Sequence, residues 1–200
     1  MATQLSTLYP RIELWVPGCT QPIILQAMID VIREFCERTL TWQHAMDAIN
    51  IRNGVDTYDL DDIPSCARLV SVVYVALDDA ELKPTIDYLI PSTGDDPKCQ
   101  IILVNEPTAD DTAALEITVA LKPARDATVI CDRLYCDWHT VWADGTLAKL
   151  MLMPMKRWSN PQLAAYHDRQ YEIGVARAII ERTRGRTIGP LQARPKYPWV

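Results

Sequence analysis

The apolar residues of this chain change their spacing twice, and that change restricts the fold more than any other feature. From Pro22 to Leu40 they recur at steps of three and four: Leu25, Met28, Ile29, Ile32, Cys36 and Leu40, with Asp30, Arg33, Glu34, Glu37 and Arg38 between them. A helix turns once per 3.6 residues, so this spacing predicts an amphipathic helix with one apolar side. Pro22 suits its first turn, where a missing N–H costs nothing. Ahead of it Ile12, Leu14 and Val16 alternate, and Pro17-Gly18 turns the chain.

From Ala45 onward the step becomes two, as along a strand. Asn53-Gly54 predicts a hairpin turn, because both central positions need positive φ, with 55–60 returning as the partner strand. Runs rich in Val, Ile and Tyr predict strands at 68–77, 100–104 and 115–121, and shorter ones fit 82–84 and 86–90. Prolines at 64, 84, 91, 97, 107 and 123 punctuate the stretch. Beyond Pro123 the helical step returns. Cys131, Tyr135, Trp138, Trp142, Gly145, Ala148 and Leu152 share one side of a helix that Pro154 ends. Ser159 or Asn160 caps the next helix, with Pro161 in its first turn and an apolar stripe of Ala164, Tyr171, Val175, Ala178 and Ile179.

These patterns predict an α+β fold. One N-terminal and two C-terminal helices form a helical bundle (1–41 and 124–186), and an antiparallel β-sandwich-like domain (42–123) is inserted between them. An extended tail (187–200) follows, marked by Gly189-Pro190, Pro195 and Pro198. Neither one helix nor a helical pair buries enough surface to stand alone, which favours folding the end helices together. Within the bundle Trp138, Trp142, Gly145, Ala148, Trp158, Tyr171 and Gly174 are the expected packing residues, either inside the subunit or between subunits. The small ones let a neighbouring backbone come close.

Charge follows the same division. Residues 42–121 hold fifteen acidic and four basic residues, a net of −11, whereas 122–200 hold thirteen basic and seven acidic, a net of +6. An acidic middle repels nucleic acid, and a basic end suits an acidic partner or a phosphate backbone. Two solvated surfaces of opposite sign account for the same counts. No apolar run approaches the roughly 18 residues of a membrane span, so no membrane partner is expected. The first residues lack a basic region followed by an apolar one, so work in the cytoplasm, or in a particle assembled there, is expected. In such a compartment the six cysteines are expected reduced.

Groups suited to catalysis are sparse. The chain has neither a Gly-rich phosphate loop nor a Gly-x-Ser-x-Gly elbow. Cys131, Cys136 and His139 make an incomplete zinc set, since a structural site wants four ligands. Asp61-Asp62, Asp78-Asp79, Asp95-Asp96 and Asp110-Asp111 fall at turns or loops, where adjacent acids are ordinarily solvated. A hydrolase would need two of them opposed across a cleft. No cofactor, metal or catalytic residue is therefore assigned. The basic end, Arg182, Arg184, Arg186, Arg194, Lys196 and Trp199, has three readings: a loose solvated end, a docking arm that orders on a partner, or a nucleic-acid contact.

At this point the chain resembles a known family. Arg11-Ile12-Glu13-Leu14-Trp15-Val16-Pro17-Gly18-Cys19, with the helix reaching Phe35-Cys36-Glu37-Arg38, looks like the start of head-to-tail connector (adaptor) proteins of tailed bacteriophages. Asn53 to Leu60 is similar to their hairpin. Gly145 to Pro154, then Trp158-Ser159-Asn160-Pro161 and Gly174-Val175-Ala176-Arg177, are similar to their C-terminal helices. The resemblance spans most of the chain and extends, more distantly, to the tail tubular protein A of short-tailed phages.

The resemblance implies a structural virion protein, not an enzyme, that forms a dodecameric homo-oligomeric ring. It would sit at the portal vertex of the virion, assembled in the host cytoplasm, between the portal protein and a tail or nozzle protein. Genomic DNA would pass through without specific binding and without a cofactor. On that footing Arg186, Arg194, Pro195, Lys196, Tyr197 and Trp199 are the expected portal-docking residues. Asp78, Asp79, Asp110 and Asp111 are expected on acidic loops lining the channel. The alternatives are another head-completion or tail-terminator protein, a small carboxylate-dependent hydrolase, or a DNA-binding module.

Overall fold

The computed structural model describes residues 2–77, 80–91, 99–105 and 114–184. It has a mixed α+β architecture. β1 (Ala2–Gln4) leads through a single 3-10 turn (Leu5–Leu8) into α1 (Tyr9–Glu13) and then α2 (Gln21–Thr39). A β segment follows: β2 (Gln43–Ala45), β3 (Ile49–Asn50), β4 (Thr57–Asp59), β5 (Ala67–Leu77), β6 (Ala80–Glu81), β7 (Tyr88–Leu89), β8 (Gln100–Leu103) and β9 (Ala114–Pro123). β10 (Val129–Cys131), α3 (Asp132–Met151) and α4 (Pro161–Arg184) complete the described chain.

α2, α3 and α4 pack together as the predicted bundle, and the strands fall between α2 and α3 in sequence. All strand ladders named among the described residues are antiparallel. A five-stranded sheet runs β2-β9-β5-β6, with β3 also on β9, and a three-stranded sheet runs β4-β8-β7. Tyr58, Tyr88, Ile101 and Leu103 from the small sheet are buried in the same core as Leu69, Val75, Leu115 and Ile117 from the large one. This arrangement is sandwich-like, and its core is continuous with that of the helices.

α2 explains that continuity, because it packs on two sides. Val31 and Phe35 meet α3 and α4, whereas Arg33 donates to the Pro123 carbonyl at 2.7 Å and Glu37 accepts from Lys122 at 2.8 Å, both at the end of β9. The sequence stripe on α2 is therefore too narrow, since Ile24, Val31 and Phe35 are buried as well. β9 records the same contact. Side chains alternate across a strand, so Glu116 and Lys122 point to one side. Glu116 is exposed there, but α2 covers Lys122.

Two local expectations are corrected. Asn53-Gly54 does form a turn, with Gly54 at φ +73°, but the flanking strands do not pair with each other. β3 joins β9 and β4 joins β8, so the turn passes the chain from one sheet to the other. Tyr58 holds this crossing: its hydroxyl donates to the Val55 carbonyl at 2.8 Å and accepts from the Arg52 N–H at 3.1 Å. The alternation at 12–16 is not a strand either. Ile12 and Val16 are buried, a spacing of four that lies on one side of a helical turn, while Leu14 is 79% exposed. On α4, Ile179 is 37% exposed, and His167 and Gly174 are buried with the other stripe residues.

Candidate functional site

The expected packing residues lie mainly where α3 crosses α4. Trp138, Trp142, Ala148 and Tyr171 are buried, and Phe35 meets the two tryptophan rings at 5.4 and 5.9 Å. Gly145 faces Val31 and Tyr171, and Gly174 faces Val141. Missing Cβ atoms at these two points let the helices approach. Trp158, in the α3–α4 connection, is partly buried and packs against the same core. Its indole N–H, like that of Trp142, has no partner among the described residues. Asn160 caps α4 by accepting from the Leu163 N–H at 3.2 Å.

Between α2 and α4, Arg38 and Glu172 form a two-pronged ion pair with both N···O distances 2.6 Å. The Arg38 hydrogen bonds hold the Glu172 carboxyl below its ordinary value of 4.5. Its contribution to stability is therefore complete above that value and is lost as pH falls through the lower, folded-state one. Both side chains are well exposed, 38% and 48%, so solvent screening limits the gain. Glu172→Gln is expected to cost less than about 1 kcal/mol near neutral pH and nothing in strong acid. Urea midpoints followed across the acid range check this, and a difference that persists unchanged in acid refutes it.

At the end of the bundle where α3 turns into α4, a second feature appears that the sequence patterns did not single out as a site. Leu14 (79% exposed), Trp15 (49%), Leu152 (60%) and Met155 (101%) project into solvent, beside exposed Lys156 and Arg157. Trp15 stands edge-on to His167 at 5.8 Å, next to exposed Tyr166. Lys156 lies close enough to Cys19 to oppose the rise that burial imposes on its thiol pKa. Apolar residues placed at turns, Leu14-Trp15 before Pro17-Gly18 and Met153-Pro154-Met155 after α3, were the available signal.

The three histidines are engaged locally. His44 Nε2 meets the Asp62 carbonyl and carboxylate at 3.0 and 3.2 Å, and His139 Nδ1 bonds the Tyr135 carbonyl at 3.1 Å. His167 Nδ1 bonds Asp144 at 2.9 Å, and its buried Nε2 has no partner among the described residues. Cys136 is exposed, and no cluster of three or more metal-ligating side chains occurs among the described residues. At the opposite end of the bundle a cleft of about 330 Å³ lies between Trp42, Trp138, Arg133 and Arg182. Arg177 sits 5.9 Å over the Trp138 ring, a cation–π contact that shields this buried indole.

The acidic-loop residues Asp78, Asp79, Asp110 and Asp111 lie outside the described residues. So do the tail residues Arg186, Arg194, Pro195, Lys196, Tyr197 and Trp199. No described helix is long and apolar enough to cross a membrane. No protein-family model matches the chain, and no curated protein matches it.

Proposed function

We propose that this protein is a structural head-to-tail connector of a tailed bacteriophage. Copies form a ring that joins the portal to a tail or nozzle protein and continues the DNA channel. The observation that carries the reading is the excess of exposed carboxylates on the β segment. Exposed Asp47, Asp56, Asp59, Asp61, Asp62, Glu81 and Glu116 are borne by the β segment, whereas the last turn of α4 ends in Arg182 and Arg184. An acidic surface repels phosphates, so DNA passes it without being held. A basic end suits an acidic surface on another protein. The resemblance of the helices and of the Arg11–Cys19 segment to connectors supports the same reading.

Electron microscopy of the protein mixed with its portal tests the proposal. A ring on the portal's outer end is expected. A position elsewhere in the particle would transfer the protein to the head-completion or tail-terminator class. In this reading residues 187–200 are the portal-docking arm. Their deletion is expected to abolish portal binding while leaving the helical signal and the melting transition unchanged. Undiminished binding by the truncated protein would remove the arm from the account.

A further inference from the structure

The exposed cap at the α3–α4 end has an unlike counterpart on the small sheet. In β4-β8-β7 the pairs Thr57↔Ile102, Asp59↔Gln100 and Leu89↔Ile102 share the outer face, while Tyr58 and Ile101 point to the core. Leu89 (47%) and Val104 (49%) are exposed there, with Ile86 (63%) on the connection just before β7. On the opposite, β4 edge of this sheet Asp56, Asp59 and Asp61 are exposed, and no Lys or Arg lies between Asn53 and Ala67, although Lys83 is exposed on the β7 side. One patch of the molecule thus carries apolar groups beside Lys156 and Arg157, and the outer face of the small sheet carries apolar groups together with the carboxylates of its β4 edge.

We propose that the Leu14–Trp15–Met155 cap, with Lys156 and Arg157, is a subunit contact that receives the outer face of the three-stranded sheet, with Asp56, Asp59 and Asp61, of a second copy. The proposal rests on the ring reading above and specifies its contact. The occupant follows from charge complementarity. Lysine and arginine beside an exposed tryptophan would suit any acidic apolar surface, and this chain supplies one on another face of itself. Contact between two different patches of one chain is heterologous, so repeating it generates a ring when the rotation closes and a filament when it does not. Trp15 and Met155 would anchor the centre, since aromatic and methionine side chains are favoured in the core of such contacts. The charges would set register and encounter rate.

Charge reversal in both directions tests the contact, with sedimentation of the full chain at low ionic strength as the readout. The wild type is expected to self-associate as its concentration rises. Lys156→Glu with Arg157→Glu in one variant, and Asp59→Lys with Asp61→Lys in another, are each expected to weaken association about ten-fold or more. Mixing the two variants should restore it, because each reversed patch then meets its complement. Circular dichroism of each variant controls for folding, and these residues are exposed.

Failure of the wild type to associate, association indifferent to either reversal, or no recovery on mixing would each overturn the contact. Binding of the wild type to anionic vesicles, lost in the Lys156/Arg157 variant and without self-association, would overturn it in favour of a membrane surface. The two readings fail separately. Portal-bound rings that tolerate both reversals would remove this contact and leave the connector. Recovery on mixing in a protein that never meets a portal would do the reverse.

Discussion

Trp142→Ala is expected to lower stability by about 3–5 kcal/mol, enough to unfold a large fraction of molecules in a domain of ordinary stability. Trp142 is completely buried, with Phe35 edge-on to its ring at 5.9 Å. Truncation would leave a cavity where α2 meets α3, and the surrounding helices could collapse into it only in part. Trp142→Phe separates volume from polarity. The indole N–H is buried without a partner among the described residues. Phenylalanine would lose some packing and also relieve an unsatisfied donor, a cost of about 1–3 kcal/mol. It is therefore expected to be much milder than alanine. Urea unfolding of both variants provides the check. Equal losses would mean that the N–H is satisfied in solution and that the ring's size is not what matters.

The second large effect is expected at Gly174. A Cβ there would stand 2.5 Å from both Val141 methyl carbons and 3.0 Å from the Val141 Cβ. Contacts that short force a shift, and a β-branched valine on a helix has little rotamer freedom to supply it. Gly174→Leu is expected to prevent α3 and α4 from packing, with loss of a cooperative unfolding transition. Gly174→Ala gains about 1 kcal/mol of helix preference yet is expected to lose stability overall, because overpacking costs about 1–3 kcal/mol. Val141→Ala in the same chain should recover most of that loss by removing the opposing methyls. A double-mutant cycle measures the coupling. Additive single effects would rule out the close approach as the reason for glycine at this position.

Much of this architecture is legible in the residues themselves. The sequence pattern places the first long helix from Pro22 to Leu40 and the structure places it from Gln21 to Thr39. Leu40 ends it in a left-handed conformation, φ 51°, a role more often given to glycine. The runs at 68–77, 100–104 and 115–121 are strands because their Val- and Ile-rich spacing suits a half-buried surface. The partner of each strand is not a local property. Asn53-Gly54 announces a reversal, but the burial of Leu115 and Tyr58 in different ladders decides where the flanking strands go.

The cap around Trp15 illustrates the other limit. Periodicity finds residues that a helix buries, whereas Leu14 and Met155 stand out only once the α1 and α3–α4 turns lie at the same end of the bundle. The pairing of Asp144 with His167 is similar, since it depends on the register of two antiparallel helices. Gly145 opposite Tyr171, and Gly174 opposite Val141, share that register. Periodicity marked the glycines on their helices, but packing was needed to reveal what they face.

The way the β segment leaves and rejoins the helices also bears on the order of folding. α2 and α3 are far apart along the chain, and bringing distant segments together costs closure entropy that must be met before their contacts form. β2 follows α2 closely and pairs in register with β9, Gln43 opposite Ala120, so the segment closes at a narrow neck. The Leu121 N–H bonds the Trp42 carbonyl at 2.8 Å just outside that ladder. Once the sheet has formed, the connection from α2 to α3 is no longer a long loop but a short bridge across two adjacent strands. The sheet then acts as the bundle's connecting loop, and its assembly sets how cheaply the three helices can find one another.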